Sequence, residues 1–295
     1  MTSLGSILTA MVTPFDEHGA LDAAEAARLA TWLVDRGNEG LVVAGSTGEG
    51  MTLDPEERWE LFSTVKKAVG DRASVIANVG TSDTRSTIRA AKEAQAAGAD
   101  ALLVVVPPYS KPTQGGMLEH FGAVAQATPL PTVVYNIPGR TAANMTPATL
   151  LELRRRHGNI VGVKESSGDL MQISTIVRDR PDGFAVWCGD DYLFLPSLAV
   201  GADGVIGVAS HVCSREYRAL FDAYRNGDWP RAAEIHNALL DLFDALFDVS
   251  NPIPVKWVMQ QMGFAVGRCR SPLDTIPDAV AQRLQPLIAG YLANV

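Results

Sequence analysis

Short apolar runs rich in Val, Ile and Leu recur along this chain. Each is followed by a Gly, Ser or Pro loop and then by a stretch whose apolar positions have helical spacing. The runs are "SILTAMV" (6–12), "GLVVAG" (40–45), "SVIANV" (74–79), "ALLVVV" (101–106), "PTVVYN" (131–136), "IVGVK" (160–164), "FAVWC" (184–188) and "GVIGV" (204–208). They start roughly 20 to 34 residues apart, which leaves the dozen or more residues that a parallel crossover needs and is too long for hairpins.

The intervening stretches carry their own start and stop signals. In "DPEERWELFSTVKKAVG", Asp54 caps, Pro55 fits the first turn, and Glu56 and Glu57 suit the positive end of the helix dipole. Leu61, Val65 and Ala68 then share one face, and Gly70 is the stop. "DAAEAARLATWLVDRG" opens on an Asp22–Glu25 capping-box pattern and closes at Gly37. Eight such units predict an α/β fold, a (β/α)8 TIM barrel, for which about 250 residues is typical. The rival is a doubly wound open sheet, whose dinucleotide-binding form carries a GxGxxG turn that the first unit here lacks. From residue 213 to 295 the chain reads as helical throughout. The expected organisation is a catalytic barrel over 1–225 and a C-terminal helical extension over 226–295.

Composition narrows the function. The 295 residues are 47% hydrophobic and 20% charged, as in an ordinary globular chain, and the net charge of -8 argues against nucleic acid or an anionic membrane as partner. Cys188, Cys213 and Cys269 form no CxxC pair, and the five histidines form no ligand motif, so neither a disulfide framework nor a metal is expected. "MTSLGSILTAMVTPF" lacks a basic leader and a long apolar core, so the expected setting is the cytoplasm.

In a barrel, chemistry gathers where strands end and βα loops begin. Those ends read "GSTGEG", "PPYSKP", "YNIPGRT", "KESSG" and "GDD" for strands 2, 4, 5, 6 and 7. Lys164 is the most telling residue, a single amine inside an apolar run. Burial disfavours a charged amine, leaving a neutral nucleophile for a carbonyl carbon; the same pattern also suits a salt-bridged or snorkelling lysine. Tyr135, near the end of the neighbouring strand, is a candidate acid/base with Thr47 as a relay partner, or else a packed phenol. The "GSTGE" turn can present backbone N–H groups and two hydroxyls to a carboxylate, or be simply a good loop. Arg140 offers a fork for a substrate carboxylate, or is a surface arginine after a proline turn.

Taken in order, "GSTGE", "YNIPGRT", "GVKESSG" and "NPIPVKW" resemble the dihydrodipicolinate synthase and N-acetylneuraminate lyase family, from about residue 4 to the C-terminal helices. The resemblance implies a (β/α)8 barrel with a helical C-terminal domain, assembled as a dimer of dimers, a homotetramer, with no cofactor. It implies that Lys164 forms a Schiff base with pyruvate and that Tyr135 is the general acid/base. Thr47 and Tyr109 would complete a hydroxyl relay, with Tyr109 donated across a dimer interface. Ser46 and Thr47 would hold the pyruvate carboxylate, and the Ile206 carbonyl would lie beside the Schiff base. Arg140, two residues after the proline of "YNIP", is similar to the arginine with which the synthase branch binds the carboxylate of L-aspartate 4-semialdehyde.

The alternatives are a sugar-acid or N-acetylneuraminate lyase of the same family and, from another class, a ligand-sensing barrel without chemistry. Some positions depart from the family pattern. Ser46 replaces a common threonine, and Pro107-Pro108-Tyr109 replaces a common Pro-Tyr-Tyr. Pro55 and Arg58 stand where some regulated members place histidines, which implies weak or absent feedback inhibition by lysine.

Overall fold

The computed structural model describes residues 4–292. The strands are β1 (Ile7–Ala10), β2 (Gly40–Val43), β3 (Ser74–Asn78), β4 (Ala101–Val105), β5 (Thr132–Asn136), β6 (Ile160–Glu165), β7 (Ala185–Cys188) and β8 (Gly204–Gly207). They form one closed parallel barrel in sequence order, with β8 pairing back onto β1. The open-sheet alternative is therefore excluded. Every expected run became a strand, in most cases ending earlier than the apolar run because its last residues already belong to the loop that builds the site.

Between the strands lie α1 (Ala23–Asp35), α2 (Pro55–Val69), α3 (Thr84–Ala96), α4 (Gln114–Ala127), the single turn α5 (Pro138–Thr141), α6 (Pro147–Arg156), α7 (Leu170–Asp179), α8 (Phe194–Ala199) and α9 (Ser210–Arg225). Helices α10 (Trp229–Ala245), α11 (Ile253–Gln261) and α12 (Asp278–Leu292) follow. The signals around α2 act as expected. Asp54 and Glu57 make a reciprocal capping box, and Gly70 closes the helix at φ 58°, a conformation that a side chain would strain. At α1 only half the expected box forms. Asp22 accepts from the Glu25 N–H at 2.9 Å, but the Glu25 carboxylate turns to Arg28 and to the Ala265 N–H instead. The two-bond pairing with the Arg28 guanidinium takes the place of the return bond.

The expectation of continuous helix after residue 213 is corrected between α10 and α11, at 246–252, and between α11 and α12. Residues 262–277 are irregular, and Gly263, Gly267, Pro272 and Pro277 explain it. The ends of the two expected ranges, 1–3 and 293–295, lie outside the described residues. Among the described residues no helix is long and apolar enough to cross a membrane.

The strands are buried on both faces, with two separate apolar layers set by their alternation. Leu8, Val42, Ile76, Leu103, Val133 and Ile206 fill the barrel interior. Ile7, Leu41, Val75, Leu102, Val134 and Val163 point outward into the layer shared with the helices. That outer layer runs without a break into Leu239, Val255 and Leu284 of the last three helices. Because Val163 faces out, Lys164 faces in.

Candidate active site

Tyr135 and Lys164 are register partners across β5 and β6. Both side chains enter the barrel, and Lys164 Nζ stands 4.4 Å from the centroid of the Tyr135 ring. Lys164 is only 4% exposed. The next pair in the ladder, Asn136 and Glu165, faces outward and serves as the clamp. Asn136 Nδ2 donates to Glu165 Oε1 at 3.0 Å, Gln172 Nε2 donates to Oε2 at 3.0 Å, and the Ser167 N–H donates to Oε1 at 2.9 Å. Burial pushes the Glu165 carboxyl up while these bonds oppose it. The "YN" and "KE" dipeptides thus divide the work: the inward residue faces the site, and the outward one locks the strand end.

The expectation of a purely apolar setting for Lys164 holds only in part. Asp190, just beyond β7, lies within electrostatic reach of the amine; burial pushes its carboxyl up to about 6, and Lys164 opposes the rise. Asp191 turns away and ties down the end of β8. It accepts from the Val208 N–H at 3.1 Å, the Ala209 N–H at 3.0 Å and the Tyr217 hydroxyl at 2.7 Å. Gly189 has no room for a side chain, since a Cβ there would lie 1.8 Å from Ser166 Oγ and 2.8 Å from Lys164 Cε. Ser166, two residues after the lysine on the same face, has a buried hydroxyl without a partner.

The turn after β2 carries Ser46 and Thr47. Thr47 is buried and accepts from Asn251 Nδ2 at 2.8 Å, while the main-chain carbonyl of Asn251 accepts from Arg140 Nη2 at 3.3 Å. Beneath the turn, Glu49 pairs with Lys256 of α11 at 2.9 Å, and Glu49 Oε2 accepts from the Arg270 N–H at 2.7 Å. A cavity of about 550 Å³ opens above these elements, with Ser46, Tyr135, Arg140, Arg58, Ser82 and Pro108 on its wall. A larger hollow of about 880 Å³ lies at the opposite barrel end around Gly5, Arg180 and Trp187. It lies away from the strand ends where barrel chemistry gathers.

Ser46, Thr47, Tyr135, Arg140 and Lys164 therefore gather around one barrel mouth, and Ile206 lies on β8 within the barrel wall. Tyr109 does not join them within one chain: it is 95% exposed, at φ 68°. Asn251, Asp190 and the Glu49–Lys256 pair were not singled out from sequence. The one signal for Asn251 and Lys256 is that both belong to "NPIPVKW", a motif recognised without its contacts. Among the described residues no cluster of three or more His, Cys, Asp or Glu side chains is placed to hold a metal.

Comparison with known proteins gives a consistent picture. A sequence model described as the Dihydrodipicolinate synthetase family matches residues 3–290. The 4-hydroxy-tetrahydrodipicolinate synthase of Moorella thermoacetica is 52% identical over 91% of this chain and 92% of its own length. That of Symbiobacterium thermophilum is 48% identical over 98% of each. Among solved structures, the dihydrodipicolinate synthase of Bacillus anthracis superposes with a TM-score of 0.95 at 39% identity, covering 100% of this chain and 99% of that one. The enzyme of Cyanidioschyzon merolae with lysine bound gives 0.96 at 41% identity, covering 99% of each. With its barrel, its inward lysine–tyrosine pair and these relatives, the chain belongs to the dihydrodipicolinate synthetase family.

Proposed function

We propose that this protein is a 4-hydroxy-tetrahydrodipicolinate synthase that condenses pyruvate with L-aspartate 4-semialdehyde. The observation that carries the reading is the buried Lys164 amine set 4.4 Å from the Tyr135 ring centroid at the mouth of the barrel.

The lone pair of Lys164 Nζ attacks C2 of pyruvate to give a carbinolamine. Tyr135, through Thr47 and the partner-donated Tyr109, moves the protons that let water leave, forming a cationic iminium. Ser46 and Thr47 hold the pyruvate carboxylate, the Ile206 carbonyl lies beside the iminium, and the Asp190 carboxylate offsets its charge. Loss of a C3 proton gives the enamine, whose C3 attacks the aldehyde carbon while the aldehyde oxygen takes a proton and becomes the 4-hydroxyl. Arg140 holds the acceptor carboxylate during this step. The acceptor's amino nitrogen then attacks C2, closing the ring and releasing Lys164 as a free amine. One water leaves in all.

The reading includes assembly as a dimer of dimers, with a second chain donating Tyr109 to the mouth. A reducing cytoplasm suits the three free thiols of Cys188, Cys213 and Cys269. The test is borohydride trapping with pyruvate followed by peptide mass analysis, then a coupled assay with aspartate semialdehyde set against N-acetylneuraminate. A reduced pyruvate adduct on Lys164, absent in Lys164→Ala, and turnover of the semialdehyde are expected. An untrappable protein is a sensing barrel, and preference for N-acetylneuraminate makes it a sugar-acid lyase; either overturns the proposal.

A further inference from the structure

We infer that Asn136 is a positioning residue for the acceptor substrate: it closes the neck of the loop that presents Arg140 and fastens that neck to the strand that carries Lys164. The inference rests on the reading of Arg140 as the holder of the acceptor carboxylate. Asn136 is the last residue of β5, and Met145 lies nine positions further on, shortly before α6. The segment between them contains the single turn α5 and, within it, Arg140.

Asn136 Oδ1 accepts from the Met145 N–H at 2.9 Å, and Nδ2 donates to Asn144 Oδ1 at 2.7 Å. Nδ2 also donates to Glu165 Oε1 and Oε2, at 3.0 and 3.1 Å. These partners fix the direction of the amide. A main-chain N–H can only donate, so the oxygen faces Met145; the Glu165 carboxylate, which accepts from Ser167 and Gln172 as well, takes an N–H. Every polar atom of Asn136 is thus used, and the residue is 1% exposed.

The loop is knitted within itself. The Arg140 N–H donates to the Ile137 carbonyl at 3.0 Å, and the Thr141 hydroxyl reaches the carbonyls of Ile137 at 3.0 Å and Ala143 at 2.9 Å. A shift at the neck is therefore passed on to Arg140. Gln172 and Gln114 also hold Asn144, but they fasten it to the helices α7 and α4. Asn136 ties it to the two strands that carry Tyr135 and Lys164. The new carbon–carbon bond joins an enamine growing on Lys164 to an aldehyde gripped by Arg140. A misplacement of about 1 Å between the two costs such a step about 100-fold. Capture of pyruvate by Lys164 makes no use of Arg140.

The experiment uses the full-length protein and two readouts: kcat/KM for aspartate semialdehyde at saturating pyruvate, and the rate of borohydride trapping with pyruvate alone. Asn136→Ala is expected to lower the first about 100-fold and the second less than about threefold. In an Arg140→Ala background, adding Asn136→Ala is expected to cost less than about twofold, because the residue acts through Arg140. Asn144→Ala leaves the Asn136–Glu165 contact in place and is expected to show the same split at about 10-fold. It carries the test if Asn136→Ala fails to fold.

A merely structural role lowers trapping and semialdehyde turnover together, and its cost persists in the Arg140→Ala background. Either result overturns the inference, as does an Arg140→Ala protein with full semialdehyde turnover. If the wild type itself cannot be trapped, it is the proposed function that fails, and this inference with it.

Discussion

Glu49 and Lys256 form an ion pair 2.9 Å long with their side chains 0% and 2% exposed, joining the turn after β2 to α11. Burial pulls the Lys256 ammonium below the ordinary lysine range, and the Glu49 carboxylate opposes that shift. Such a pair gains little over an apolar one, but breaking it strands a charge. Lys256→Met is therefore expected to cost about 3–5 kcal/mol of unfolding free energy by urea titration with an unchanged slope, and adding Glu49→Gln to recover most of it. A double variant no more stable than the single one refutes this account.

How much of this was legible beforehand follows from the range of each interaction. The eight strands were readable because burial on both faces forces continuous Val, Ile and Leu runs, and α2 because its Asp54, Pro55 and Gly70 signals are local. Lys164 and Tyr135 stood out as polar groups at the ends of such runs. The Asn251–Thr47 bond joins positions 204 residues apart, so no periodicity announces it. Asp190 and Asp191 read alike in "GDD", yet only the second takes the hydrogen bonds that anchor β8. The irregular stretch at 262–277 is marked by its glycines and prolines, but the helical patterns on either side mask those signals.

The raised Asp190 carboxyl gives a signed pH dependence. Because burial lifts it to about 6, it is neutral below that pH and negative above it. The cationic iminium is then better stabilised above pH 6, so kcat/KM for pyruvate is expected to fall as the pH drops through this region. Asp190→Asn is expected to remove this inflection and to lower kcat/KM above it by about 10-fold. An unchanged profile in this variant assigns the titration to another group.

Tyr109 provides a test that needs two kinds of subunit. At 95% exposure it has no place in its own chain's core. Tyr109→Phe and Lys164→Ala are each expected to be nearly inactive alone. Unfolded together and refolded as a mixture, they regain roughly a quarter of wild-type activity, because half the random dimers hold one complete site. No recovery, with mixed dimers verified by mass, rules out donation across the interface.

Lysine response turns on Arg58, which lines the mouth cavity and donates from Nη2 to the Gly50 carbonyl at 2.5 Å. A guanidinium here repels the ammonium groups of lysine, and Pro55 offers no side-chain donor. Initial rates are expected to change less than about twofold at millimolar lysine. Strong partial inhibition at micromolar lysine refutes the expectation.

Gly189 bears on any attempt to redesign the reaction. Beside the amine, the chain just beyond β7 has already been pared to bare backbone, with Ser166 and the stem of Lys164 pressed against it. Bulkier aldehydes therefore find no extra space on that side, whatever is substituted there. Room has to be carved from the wall of the mouth cavity, at Arg58, Ser82 or Met51, where side chains remain to be shortened.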